Sequence, residues 1–139
     1  MQQQISVVTL GIAELERSRR FYGDGFGWET VFANEEILFF QMNGLMLGLW
    51  LEDRLAKDSA RLVQPSGGFS LGHNVRSREA VDALIAALAA AGGTVSRAAD
   101  APPHGGYRGY VADPDGHAWE IAWNPVWPID DQGHVRFGL

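Results

Sequence analysis

Glu120 is the charged side chain whose setting says most about chemistry. In the run Ala118-Trp119-Glu120-Ile121-Ala122-Trp123, strand alternation groups it with Ala118 and Ala122 and leaves Trp119, Ile121 and Trp123 on the other face. A carboxylate among small residues points into a concavity or to solvent. Enclosed without a partner, it loses hydration and its pKa rises, so it must be paired, protonated or bound to a cation. Arg108 on the preceding strand is the partner the sequence offers. The catalytic chemistry open to one such carboxylate in a dry pocket is that of a general base.

The four histidines, His73, His104, His117 and His134, include no pair at i, i+4 and none two residues apart, so their spacing offers no metal motif. His73 alternates with Leu71 and Val75, which puts it on an apolar face turned to the helices. His117 follows a turn at the mouth of a strand, and His104 sits in an exposed Pro-Pro-His-Gly-Gly loop. The absence of cysteine excludes disulfides, thiolate metal sites and a cysteine nucleophile. Gly68-Phe69-Ser70-Leu71-Gly72 matches a nucleophile elbow, with Asp113 and His117 or His134 in triad order. An elbow needs a helix straight after the serine, yet the β-like run continues through His73-Asn74-Val75. That reading is set aside.

The elements that must position these residues come in a repeated order. Residues 5–12 are apolar and β-branched, and residues 13–22 form an amphipathic helix closed by Gly23, Gly25 and Gly27. Those glycines follow a helix instead of opening one, so they are no dinucleotide fingerprint. Strands at 28–33, 36–42 and 45–51 follow, the last two joined by an Asn43-Gly44 turn. Residues 52–68 read as a linker with Pro65 and one short helical turn. The order then recurs: a strand at 69–75, Ser77 capping a helix with Val81, Leu84, Ile85 and Leu88 on one face, and strands at 94–97, 106–112 and 117–123. The pattern is βαβββ twice, an α+β fold. Module 1 spans about 4–51, module 2 about 69–123, and a tail runs over 124–139.

Composition bounds the rest. A chain of 139 residues with 46% apolar side chains makes one domain with a real core. Its net charge of −6 argues against nucleic acid and anionic lipid as partners. No apolar run approaches a membrane span and the N-terminus lacks the pattern of a secretory signal, so a cytoplasmic location is expected. Five Trp, three Tyr and seven Phe beside 17 Gly suggest tight turns around an aromatic-lined space.

With the strand SVVTLGI, a helix ending in RSRRFY, and GYVADPDGHAWEIAWNP near the end, the chain resembles the vicinal oxygen chelate superfamily over residues 4–124. That superfamily holds glyoxalase I, extradiol dioxygenases, fosfomycin-modifying enzymes and bleomycin-binding resistance proteins. DPDGHAWEI is the most specific motif. GHNVRSREAVDAL and WNPVWP are similar to small glyoxalase-like bacterial proteins of unassigned activity. The resemblance implies two modules building a cupped mixed sheet with helices on its outer face, and a homodimer. In metal-dependent members, first and last strands of the modules supply the ligands of one divalent ion. Those positions fall here on Val7, Gly48, Ser70 and Glu120, the offset that aligns Gly44 with Gly116 aligning Gly48 with Glu120. Three of the four cannot hold a metal.

The expectation is therefore a protein that binds a small organic molecule with no metal and no cofactor, in the manner of the drug-sequestering members. Module 1 would line its cavity with Val7, Thr9, Met46, Gly48 and Trp50, and module 2 with Ser70, Gly72, Asn74 and Glu120, Tyr110 adding an aromatic wall. Net negative charge and Glu120 favour a ligand carrying an amine. The alternative is a metal-dependent lyase, isomerase or dioxygenase whose divalent metal is completed by water, substrate or a residue such as His117. An interaction module whose cavity is filled by its own side chains is the third class.

Overall fold

The computed structural model describes residues 1–64 and 67–138; Pro65 of the expected linker lies outside the described residues. Strand β1 (Val7–Ile12) leads into α1 (Leu15–Arg19), which continues as a wider π-helical turn over Arg20–Gly25. The sequence reading expects one uninterrupted helix there. Gly23 and Gly25 are poor helix formers, and the widened turn lets the adjacent Phe21 and Tyr22 both turn fully inward. Strands β2 (Thr30–Ala33), β3 (Ile37–Gln41) and β4 (Met46–Leu51) complete a sheet of order β1-β4-β3-β2, with β1 and β4 parallel.

After β4 the chain makes two helical turns, α2 (Glu52–Ser59), ending at Ala60 in a left-handed conformation. This helix is longer than the single turn expected, because Leu55 packs over Gly11 of β1, a tertiary contact with no local signal. The second half is β5 (Leu71–Asn74), α3 (Arg78–Ala90), β6 (Thr94–Asp100), β7 (Tyr107–Ala112) and β8 (Ala118–Trp123). Its sheet has the order β5-β8-β7-β6, with β5 parallel to β8, and so repeats the first. Ser77 caps α3 as expected, its Oγ accepting from the Ala80 amide at 3.1 Å. Gly44 and Gly116 occupy the positive-φ places that the two hairpin turns demand.

Each sheet buries one face. Leu10, Ile12, Leu38, Leu47 and Leu49 of the first sheet and Val111, Trp119 and Ile121 of the second join Phe21, Tyr22, Val81 and Leu88 in one core. A ring cluster of Tyr22, Phe26, Trp28 and Trp119, with centroids 4.1 to 6.2 Å apart, bridges the modules. The opposite face of the second sheet stays open, and that of the first is covered at its Gly11 end by Leu55 of α2 and by Val63. Beyond β8 the tail forms a turn with Ile129 paired to Val135, tied to module 2 by the Arg76 guanidinium donating to the carbonyls of Ile129 and Asp130. It reaches module 1 where the Asn43 amide donates to the Gln132 carbonyl at 3.4 Å. Among the described residues, no helix is long and apolar enough to cross a membrane.

Candidate functional site

Strand register decides which side chains share the open faces. In the first sheet Val7 pairs with Met46, Thr9 with Gly48 and Gly11 with Trp50, so the five residues expected from module 1 lie on one face. In the second sheet Gly72 pairs with Glu120 and Asn74 with Ala122, and across the hairpin Tyr110 pairs with Glu120. Ser70 precedes β5 and is exposed. Each module thus gathers its own group, the two groups standing on separate sheets.

Glu120 is half-buried, and its partner is not the Arg108 that the sequence suggests. The Tyr110 hydroxyl donates to Glu120 Oε2 at 2.6 Å, while Arg108 pairs with Asp100. Hydrogen bonds from Arg97 and Arg108 hold the Asp100 carboxyl below the usual range. The hydrogen bond to Glu120, with burial and the charge of Glu120 behind it, raises the Tyr110 phenol above its ordinary pKa; a hydrogen bond with the Ser70 hydroxyl works the other way. Tyr110 and Glu120 form a hydrogen-bonded pair on this face, with Ser70 beside Tyr110. The Tyr110 hydroxyl was legible in principle: counting outward from the Asp113-Pro114-Asp115-Gly116 turn, Ala112 meets Ala118 and Tyr110 meets Glu120.

The metal implied by the resemblance does not fit these residues. A catalytic ion takes about three protein ligands. Here Glu120 is the one ligating side chain of the four, and Val7 is 46% exposed with only methyl groups to offer. At Gly48 a side chain would start 3.0 Å from the Phe39 ring, so that ring already stands where a ligand would have to grow. Among the described residues, no group of three or more His, Cys, Asp or Glu side chains could hold an ion. A second copy would bring the same four residue types and no new donor.

The histidines go elsewhere. His73 is half-buried on the helix side, edge-on to Phe26 and Trp28 at 5.5 and 5.9 Å, and burial lowers its pKa. His117 is buried, with Nε2 donating to the Gly11 carbonyl at 2.8 Å. Its ring thereby joins module 2 to the end of β1. A cavity of about 430 Å³ opens beside it, between Thr9 and Gly11 of β1 and Leu55 and Ser59 of α2, with Arg61 and Phe69 on its walls.

Solved structures share this fold. A glyoxalase-related enzyme from Fulvimarina pelagi is 57% identical, with 99% of this chain and 100% of that one covered at a TM-score of 0.96. A glyoxalase/bleomycin resistance protein from Albidiferax ferrireducens is 26% identical over 87% of this chain and 98% of the other, with a TM-score of 0.70. A lactoylglutathione lyase from Agrobacterium tumefaciens shares the fold at 23% identity, covering 91% and 97% of the two chains, with a TM-score of 0.68. A family model described as Glyoxalase/Bleomycin resistance protein/Dioxygenase superfamily matches residues 4–121. The repeated βαβββ order, the Asp113–Gly116 turn and that match together place the chain in one family: it belongs to the Glyoxalase/Bleomycin resistance protein/Dioxygenase superfamily.

Proposed function

We propose that this chain is a glyoxalase-related binding protein whose open sheet faces take a small organic molecule without a catalytic metal. The Glu120–Tyr110 pair carries the reading. It commits Glu120 Oε2 to a phenol at 2.6 Å and leaves Oε1 to meet a ligand, while Val7, Gly48 and Ser70 supply nothing that completes a metal site. A ligand carrying an amine suits this carboxylate and the net charge of −6. A second copy of the chain closes the site in this reading, because Val7, Phe32 and Phe69 stand 46%, 52% and 53% exposed on or beside the open faces.

A second reading, an enzyme, is favoured by the Fulvimarina pelagi protein, named a glyoxalase-related enzyme and 57% identical. In it Glu120, oriented by Tyr110, takes up and returns a proton.

Protein purified without added metal is the test, examined by metal analysis and native mass spectrometry. The expected result is substoichiometric metal and a co-purified organic molecule that Glu120→Gln loses. One divalent ion per chain, with turnover that a chelator abolishes, overturns the metal-free reading. Sedimentation velocity tests the second copy: a dimer that Phe32→Glu converts to monomer is expected, and a wild-type monomer at micromolar concentration removes it.

A further inference from the structure

On the helix side of the sheets, away from Glu120, the structure holds a cavity that the reading above does not use. It lies between the two sheets, which share no strand ladder, and is lined by Val8 of β1 and Leu71 of β5, each an edge strand of its own sheet. The cavity has a volume of about 160 Å³, and its walls are apolar: Val8, Met42 and Leu47 from module 1, Leu71 and Trp119 from module 2, and Trp28 between them. An apolar space of about 150 Å³ is enough for one benzene ring.

One polar group stands on this wall. The His73 imidazole is half-buried with its edge against Phe26 and Trp28, and the hydrogen bonds among the described residues include none to its ring nitrogens. The buried polar atoms without a partner among the described residues do not include the His73 nitrogens, so water reaches them and a ligand hydroxyl can take that water's place. The same histidine and Trp28 also line a larger, wetter space of about 530 Å³, whose walls include Gln41, Asn74 and, from the tail, Val135. An apolar slot thus opens past a single imidazole into a polar vestibule that the tail borders.

We propose that this seam is a second ligand site, taking a single aromatic ring that carries a hydroxyl: the ring fills the slot lined by Val8, Met42, Leu47, Leu71 and the touching pair Trp28 and Trp119, and the hydroxyl donates to His73. Slot size selects one ring, and the lone polar group on its wall selects one hydroxyl. The polar part of a longer ligand would extend toward Gln41 and Asn74. The slot lies on the side of the second sheet opposite Glu120, and the two sites adjoin only at Gly72 and Asn74 of the β5 edge.

Para-cresol and toluene, which differ by the hydroxyl alone, test it on the full chain. Calorimetric titration is expected to show saturable binding of both, para-cresol about fivefold the tighter, the worth of one hydrogen bond. His73→Leu, which keeps an apolar side chain at that place, is expected to erase the preference while toluene still binds. Ring nitrogen shifts of His73 on adding para-cresol, with no shifts at Tyr110, place the ligand. Met42→Trp, filling the slot, is expected to abolish binding of both. Absence of saturable binding, an equal preference in the wild type, a preference that survives His73→Leu, or shifts centred on Tyr110 each overturn the proposal.

Discussion

Tyr22 of the first module donates its phenolic proton to Asp113 of the second at 2.7 Å, inside the core that both modules share. Asp113 Oδ1 meanwhile accepts from the amides of Asp115 and His117, so one carboxylate both shapes the hairpin turn and anchors the π-helical turn after α1 to it. Trp119 Nε1 donates to the same Tyr22 oxygen at 3.1 Å. Arg17 reinforces the joint from outside by pairing with Asp115 at 2.6 Å. The motif that is most specific to the family is, in this chain, the place where the two modules lock.

Tyr22→Phe should therefore cost about 1–3 kcal/mol, since it leaves a buried carboxylate oxygen and the Trp119 indole N–H without their partner. Urea unfolding with an unchanged m-value measures it. A cost near zero would show the joint to be held by ring packing alone.

Asp113 makes stability depend on pH with an unusual sign. Burial, more than any other influence, raises its pKa above the ordinary aspartate value. As pH falls from neutrality through the raised value, the native chain takes up a proton that the unfolded chain does not, so the Asp113 share of stability grows. Asp113→Asn keeps an acceptor for the turn amides and should abolish that growth. Comparing the urea midpoints of the two proteins between about pH 7 and pH 4 isolates the effect.

His73 acts in the opposite direction. Burial lowers its pKa, so the stability it leaves in place above the ordinary histidine value is lost as pH falls toward the lowered one, where the unfolded chain is already protonated. His73→Leu should flatten the decline in urea midpoint between about pH 7.5 and pH 5. A variant that declines as steeply as the wild type would assign the loss to other groups.

The Tyr110–Glu120 pair is testable by spectroscopy without any ligand. The hydrogen bond and charge of Glu120 keep the Tyr110 phenol above its ordinary pKa, so Glu120→Gln should let Tyr110 ionise at lower pH. Carbon-13 shifts of the tyrosine ring carbons follow this residue by residue. An unmoved Tyr110 would break the link on which the proposed site rests.

Much of this fold was legible because its signals are local. Alternation marked Val7, Thr9, Met46 and Gly48 as one face, Ser77 announced α3, and the Asn43-Gly44 and Asp115-Gly116 turns set the hairpins whose registers follow by counting. The same parity put His73 on the helix side, where it is found. Residue identity alone also showed that Val7 and Gly48 offer no side-chain donor to a metal.

Tertiary structure decided what spacing along the chain does not encode. Counting from the turn places Tyr110 opposite Glu120, but it does not show that Asp100 takes the Arg108 guanidinium, which β6 brings about by running past its expected end. The second turn of α2 exists because Leu55 covers Gly11, and Phe39 shuts off Gly48 because their strands pair side by side. The slot at the seam is a gap lined by side chains from both sheets. Such a gap belongs to the packing of residues far apart in sequence, which no single segment can reveal.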